Sequence, residues 1–261
     1  MAKKRKSKTP PGWDPVAQWY DGWVGKGGSE HHRQLALPAV LELLRPQPGE
    51  QVLDIGAGQG VLAPHIAEAG AKYTGVDVSP TLLEMARKHH GEQGWFLQGD
   101  ARHLQRIPGL SRASFDAVVF LLSVQDIDPL HEAIEAAAWV LRDGGRAVIL
   151  MTHPCFRVPR QSGWGFDDNR KLRYRRVDSY LSPLPVPMKA YGGPGGGVTI
   201  SHHRPLSDYV NTLGAFGLLI DALEEIATHK AGRDKAERRA NQEIPLFMGL
   251  RAVKRQMPDI D

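Results

Sequence analysis

One aspartate, Asp54, stands two residues before the first of three glycines set at every second position, Gly56, Gly58 and Gly60. Glycines at that spacing let a backbone turn tightly and approach a ligand with no Cβ in the way. The residues before them, Val52 to Ile55, read as a buried strand. A helix after them presents unpaired N–H groups at its start. This is the general geometry of a nucleotide-cofactor site. Two details turn it away from a nicotinamide dinucleotide. That fingerprint needs glycine at the sixth position from Gly56, and here it is Val61. A pyrophosphate is also repelled by the Asp54 carboxylate, whereas a cationic amino-acid group is ordered by it, directly or through water.

Further chemistry-bearing residues stand at the ends of apolar runs. Asp77 and Val78 follow Tyr73 to Val76, and Asp100 and Ala101 follow Trp95 to Gln98. A carboxylate has lone pairs enough for two hydroxyl donors. His153 directly follows the run that ends at Met151, and His203 lies beside His202 just before Arg204-Pro205. Histidine titrates near neutral pH, so it suits the removal of a proton from an acceptor. His153 and His203 are therefore the candidate catalytic bases. Surface or structural roles are the alternative for each. No histidine and cysteine spacing suits a metal, so none is expected.

The elements that position these residues alternate between strand and helix. Strands are expected at Gln51 to Ile55, Tyr73 to Val76, Trp95 to Gln98, Phe115 to Leu122 and Arg146 to Met151. Helices are expected at Gly60 to Gly70, Pro80 to His89 and Asp128 to Leu141. Apolar strands separated by helices imply a parallel sheet covered on both faces. The rhythm fails from His153 to about Arg204, which is rich in proline, glycine, arginine and tyrosine. A helix from Pro205 to Phe216 and strands at Leu218 to Leu223 and Ile244 to Lys254 complete seven strands. Ahead of the sheet, helices are expected to start at Asp14 and to span Glu30 to Leu44.

These motifs resemble the class I, Rossmann-like S-adenosylmethionine-dependent methyltransferases. Asp54, Gly56, Gly58 and Gly60 match that family's first motif. Asp77, with Val78 beside it, matches the acidic residue that binds both ribose hydroxyls. Asp100 and Ala101 match the position next to the adenine. Leu121 and Leu122 match the fourth-strand end beside the cofactor's amino-acid part. Leu141-Arg142-Asp143-Gly144-Gly145-Arg146 matches the turn into the fifth strand. The resemblance is strong from about Val52 to Met151 and looser over the last two strands. It implies an α/β fold with a seven-stranded, mostly parallel sheet, N-terminal helices and S-adenosylmethionine as cofactor. It also implies that an N-terminal aromatic folds over the cofactor. Tyr20 is placed for that, or to pack helix on sheet; for Trp19 core packing is expected. The insertion, residues 153–204, is expected to form a cap over the acceptor. In it, Trp164, Phe166, Tyr174, Tyr180 and Tyr191 are candidates for an aromatic pocket. Lys171, Arg173 and Arg175 would share one face if extended, either meeting an anionic acceptor or protecting a strand edge. Gly192 to Gly197 read as a hinge or loop.

Composition bounds the remaining classes. The chain has 261 residues, 41% of them hydrophobic, and a net charge of +4. That length suits one domain, residues 13–261, behind a short tail. Five lysine and arginine side chains lie before Pro10, so removing them leaves the rest at −1. The tail, residues 1–12, is expected to be disordered. The single cysteine, Cys155, allows no intrachain disulfide and fits a reducing compartment. No apolar run reaches a membrane span, and no secretory stretch opens the chain. The expected setting is cytoplasmic, without membrane contact. The expected partner is a small-molecule methyl acceptor, with oxygen ahead of other atoms. An RNA or protein methyltransferase, and a non-catalytic cofactor-binding regulator, stay open as alternatives. Leu122-Ser123-Val124-Gln125 is not the tetrad of amino-group nucleic-acid methylases, and one cysteine excludes a two-cysteine scheme. The sequence leaves the oligomeric state open.

Overall fold

A computed structural model describes residues 12–189 and 197–255. The basic tail to Pro11, Tyr191 and the glycines from Gly192 to Gly196 therefore lie outside the described residues.

A single 3₁₀ turn, Asp14–Val16, leads into α1 (Ala17–Val24). The next helix begins with a π-type turn, His32–Ala36, before α2 (Leu37–Leu44). Pro38 lacks an N–H, which removes one helical hydrogen bond at that junction. Next come β1 (Gln51–Ile55), α3 (Ala63–Glu68), β2 (Lys72–Asp77), α4 (Pro80–His90), β3 (Gly94–Gln98), β4 (Phe115–Leu121), α5 (Leu130–Val140) and β5 (Leu141–Thr152). α5 ends at Val140, and Gly144, in the expected turn into the fifth strand, has a positive φ. Pairing nevertheless begins before it, at Leu141 with Phe115, and shifts register before Arg146 meets Ala117.

Seven strands form one sheet in the order β10 (Leu218–Ile226), β11 (Phe247–Lys254), β5, β4, β1, β2 and β3. β1 to β5 pair in parallel. β11 runs antiparallel between β5 and β10. The expected mostly parallel, seven-stranded sheet is the sheet observed. Alternate residues of each strand point to opposite faces, so two cores form. Leu53, Ile55, Val118 and Phe120 pack toward α5 and α6 (Leu206–Ala215). Val52, Val119 and Leu121 pack with Leu37, Val40, Leu44 and Ile66 on the other side.

The insertion is two β-hairpins. β6 (Ser162–Asp167) pairs with β7 (Leu172–Val177), and β8 (Leu184–Lys189) pairs with β9 (Val198–His203). β9 reaches the N-terminal segment, where the Gly12 N–H donates to the Val198 carbonyl. An unexpected helix, α7 (Lys235–Glu243), is capped by Asp234, which accepts from the Glu237 N–H. Asp234 and Glu237 stand at capping-box spacing, a signal the periodicity reading passed over. No helix among the described residues is long and apolar enough to cross a membrane.

Candidate active site

A cavity lies at the carboxyl ends of β1, β2 and β4, with about 620 Å³ of empty space when its open mouth is included, where open α/β sheets hold their ligands. The expected residues Tyr20, Gly56, Gly58, Asp77, Val78, Ala101 and Leu121 all line it.

Asp77 joins the strand end to the glycine loop. Its Oδ2 accepts from the Gly58 N–H at 2.8 Å, and its Oδ1 accepts from the Ser79 N–H at 2.9 Å. Each oxygen keeps a further lone pair, enough for two hydroxyl donors. Burial raises its pKa, and the N–H groups of Ser79, Gly58 and Val78 oppose that rise. Asp14 reaches across from the N-terminal segment to accept from the Ser79 hydroxyl at 2.8 Å. That bond holds the segment over this wall.

Asp54 lies beneath the loop rather than in the wall, 1% exposed. Its Oδ2 accepts from the Tyr73 hydroxyl at 2.8 Å, while Oδ1 has no partner. Burial pushes its pKa up to about 7, against the Tyr73 hydroxyl and with the Asp77 charge. A buried acceptor without a donor marks a place for one. A donor or cation above the glycine loop, reached through water, fits that need.

The three glycines divide by role. Gly56 has φ +75°, and a Cβ there would sit 2.5 Å from the Ser123 Cβ. Gly58 has φ +55° and faces Tyr20, with ordinary contact distance to spare. Gly60 has φ +79°, but its missing Cβ makes room for the Phe96 ring, 2.7 Å away, and it does not line the cavity. Gly60→Ala is therefore expected to cost stability. Left-handed strain of about 1–3 kcal/mol adds to a similar overpacking cost. A shift in the urea midpoint measures it, and an unshifted midpoint refutes the packing role.

Asp100 also stands apart from the cavity. Arg102 grips both of its oxygens, with contacts of 2.6 and 2.9 Å, and that pairing holds its carboxyl below the usual range. Gly99 and Ala101, on either side of it, form the wall instead.

Neither candidate histidine lines the cavity. His153 is 2% exposed. Its Nδ1 accepts from the Cys155 N–H, so Nε2 donates to Glu225 at 2.8 Å. The cause is strand order: β5 lies beside β11, and the His153 N–H bonds to the Leu246 carbonyl, which draws the residue toward β10. His203 is buried, and its Nε2 donates to the Tyr180 carbonyl at 2.7 Å.

The residue the sequence reading missed is Asp126, in the 3₁₀ turn after β4. Beside the first cavity lies a second, with about 1030 Å³ of empty space when its open mouth is included. Trp13, Tyr20 and Asp126 line both. Asp126 is half-buried, and its position in the shared wall turns its accessible surface into the cavities. Burial there pushes its pKa up to about 7, against a hydrogen bond with Ser201 and the charge of Arg204. The only sequence signal was a carboxylate five residues beyond the tip of an apolar strand.

The aromatic lining of the second cavity comes mainly from the N-terminal segment, through Trp13, Trp19, Tyr20 and Trp23. Phe166 and Tyr174 are exposed instead. Tyr180 accepts from the Leu206 N–H, and Trp164 packs among arginines. Lys171 falls in the hairpin turn with φ +52°, which leaves Arg173 and Arg175 to share the face toward Trp164.

Residues 53–149, from β1 into β5, match the family model of a methyltransferase domain. An S-adenosylmethionine-dependent methyltransferase from Mesorhizobium loti superposes with a TM-score of 0.67 at 25% identity, covering 83% of this chain and 96% of that one. Residues 53–149 thus form a methyltransferase domain, on the fold of that S-adenosylmethionine-dependent enzyme. Curated relatives of the domain include a ubiquinone biosynthesis O-methyltransferase of Xylella fastidiosa, 31% identical over 52% of this chain and 56% of that protein. A demethylmenaquinone methyltransferase of Tropheryma whipplei is 34% identical over 44% of this chain and 48% of that protein. The chain thus spans about half the length of the curated relatives it matches. The family match ends before the two hairpins and begins after the N-terminal segment. The N-terminal segment and the β8–β9 hairpin supply most of the second cavity's lining, joined by Gln125 and Asp126 from within the match, and Trp13 and Tyr20 of the N-terminal segment also line the first.

Proposed function

We propose that this protein transfers a methyl group from S-adenosylmethionine to a hydroxyl oxygen of a small-molecule acceptor. The observation that carries the reading is the pair of adjoining cavities with a shared wall of Trp13, Tyr20 and Asp126. One has the features of a nucleoside site, and the other is a roomy aromatic chamber. Bound S-adenosylmethionine supplies an electrophilic methyl on a sulfonium, so the chain's own work is placement, dryness and proton removal.

In this reading the remaining lone pairs of Asp77 take both ribose hydroxyls. Gly56 and Gly58 make room for the methionine portion, and the orphan oxygen of Asp54 anchors its ammonium through water. Leu121, Val78 and Ala101 enclose the rest. Trp13 and Tyr20 close the junction between the cavities and exclude water, and holding two reactants in line there lowers the barrier by several kcal/mol. Asp126, at the junction, takes the acceptor's proton in place of the two histidines. The hairpins of residues 153–204 cap the acceptor. An O-methyltransferase and a demethylmenaquinone methyltransferase among the relatives support a small-molecule acceptor. Two of the arginines that would favour RNA face Trp164 instead, Arg173 and Arg175, and Arg173 is paired to Glu237 at 2.7 Å; Arg170 and Arg176 are exposed.

Titration with S-adenosylhomocysteine, the demethylated product, tests the reading. At 100 times its dissociation constant it should add about 2.7 kcal/mol of stability. For a domain of this size that is a rise in melting temperature of about 5–10 °C. No rise, and no heat of binding by calorimetry, would remove the cofactor site and the activity with it.

A further inference from the structure

The wall of the second cavity includes a charged residue that the transfer of a methyl group does not explain. Arg157, half-buried at the end of the turn that follows β5, lines this cavity and also a neighbouring one that it shares with Trp164 and Glu237. Its Nε donates to the Pro245 carbonyl at 3.0 Å, and one terminal nitrogen donates to the Ile244 carbonyl at 3.3 Å. Its guanidinium carbon sits 5.3 Å from the centre of the Trp164 ring. The same ring meets Arg175 at 5.3 Å and Arg173 at 5.7 Å. Three guanidinium groups thus surround one indole.

Only Arg173 has its charge balanced, by Glu237. Arg175 spends its donors on the Phe156 carbonyl and the Ser162 hydroxyl. Among the described residues no carboxylate pairs with Arg157 or Arg175, and residues 190–196 contain no acidic side chain. Desolvation, with the neighbouring Arg175 charge, pulls the Arg157 pKa down to about 10. A half-buried cation in that state gains most from an anion brought to it. Hydrogen bonds between guanidinium and carboxylate are among the stronger polar contacts available.

The rest of the chamber selects shape. Trp19 and Trp23 stack at 6.1 Å with their planes 9° apart, and Trp13 meets Tyr20 edge-on at 5.1 Å. Walls of this kind favour a flat, polarisable occupant.

We infer that the acceptor is an aromatic hydroxy acid, seated with its ring among the N-terminal tryptophans and its carboxylate against Arg157. This rests on the methyltransferase reading and adds the class of substrate. In the step itself, the acceptor's hydroxyl oxygen bonds to the methyl carbon as the carbon–sulfur bond breaks. That bonding pair stays on sulfur, and the hydroxyl proton passes to Asp126. The carboxylate takes no part in the chemistry and serves to choose and orient the molecule, which makes Arg157 a specificity residue.

Calorimetry on the full chain saturated with S-adenosylhomocysteine tests this with three probes, 3-hydroxy-2-naphthoate, 2-naphthoate and 2-naphthol. At pH 8 the two carboxylates should bind at least tenfold more tightly than the naphthol. Arg157→Gln should abolish that preference, and Arg157→Lys should keep part of it. Thermal melting of each variant separates this from the bonds that Arg157 makes to the 244–245 backbone. A merely structural arginine lowers the melting temperature and weakens all three probes alike. If the glutamine variant does not fold, the wild-type comparison and the lysine variant still decide. Equal affinities for the three probes, binding of none, or a preference that survives Arg157→Gln overturns the proposal while cofactor binding stands. Absence of S-adenosylhomocysteine binding sinks the methyltransferase reading, and this proposal with it.

Discussion

Asp77→Ala is expected to weaken S-adenosylhomocysteine binding by about a hundredfold to ten-thousandfold. A hydrogen bond to a charged acceptor is worth about 1.5–3 kcal/mol. Two ribose hydroxyls on one carboxylate therefore lose about 3–6 kcal/mol when it goes, at about 1.4 kcal/mol for each factor of ten. The loss has a second source. Asp77 also accepts from the Gly58 and Ser79 N–H groups, so its removal loosens the loop at Gly58, while the Gly56 and Ala57 N–H groups still hold it to the Val76 carbonyl. Asp77→Asn separates the two effects, because the amide keeps one oxygen acceptor and should fall between wild type and alanine. Calorimetric dissociation constants, with the melting temperature of each ligand-free variant as the control, make the check. An affinity in Asp77→Ala equal to wild type would mean that the ribose contact is misassigned.

How far the sequence led to this geometry depends on how local each determinant is. The parallel half of the sheet was legible because each strand is a short apolar run bounded by glycine or aspartate. Asp77 and Gly58 were each legible for the same reason, one ending a strand and the other lying in the loop after one, but the hydrogen bond that joins them was not. Gly60 was legible as a glycine but not by role, because the Phe96 ring that needs its space lies 36 residues away in the chain. The hairpins β6 to β9 were hidden by composition. Arginines and prolines break the apolar alternation that marks a strand, and pairing across a turn satisfies the backbone without it. His153 was placed correctly at a strand end but assigned the wrong surroundings. Periodicity locates the end of β5 but says nothing about β11 lying beside it. Glu225 and Leu246, which hold that histidine, come from more than 70 residues further on. Asp126 failed the opposite test. It is one carboxylate in a polar turn, and only the arrival of β9 and the N-terminal aromatics makes its position unusual.

That position gives the second large effect. Asp126→Asn is expected to slow methyl transfer by about a hundredfold to a thousandfold near neutral pH, the range in which a positioned general base contributes. The sign of the pH dependence follows from the carboxyl's raised pKa. It accepts a proton only when ionised, so the wild-type rate should rise as pH climbs through about 7 and then level. The groups that face it set that midpoint. Burial raises it, while the Ser201 hydroxyl and the Arg204 charge lower it. Tyr20 and Tyr209 feel its charge in return, and both have raised pKa values, chiefly through burial. Neither tyrosine ionises in the working range, so neither adds a limb to the profile. In Asp126→Asn the limb near 7 should vanish. The rate should then climb about tenfold per pH unit toward the pKa of the acceptor's own hydroxyl, since bulk hydroxide now removes the proton. The deficit is thus widest near pH 7 and closes in alkali. A variant that had only lost packing would instead run parallel to wild type at every pH. Measured as S-adenosylhomocysteine released from a phenolic acceptor between pH 6 and 10, a parallel profile removes Asp126 from the chemistry and leaves it as a wall of the two cavities.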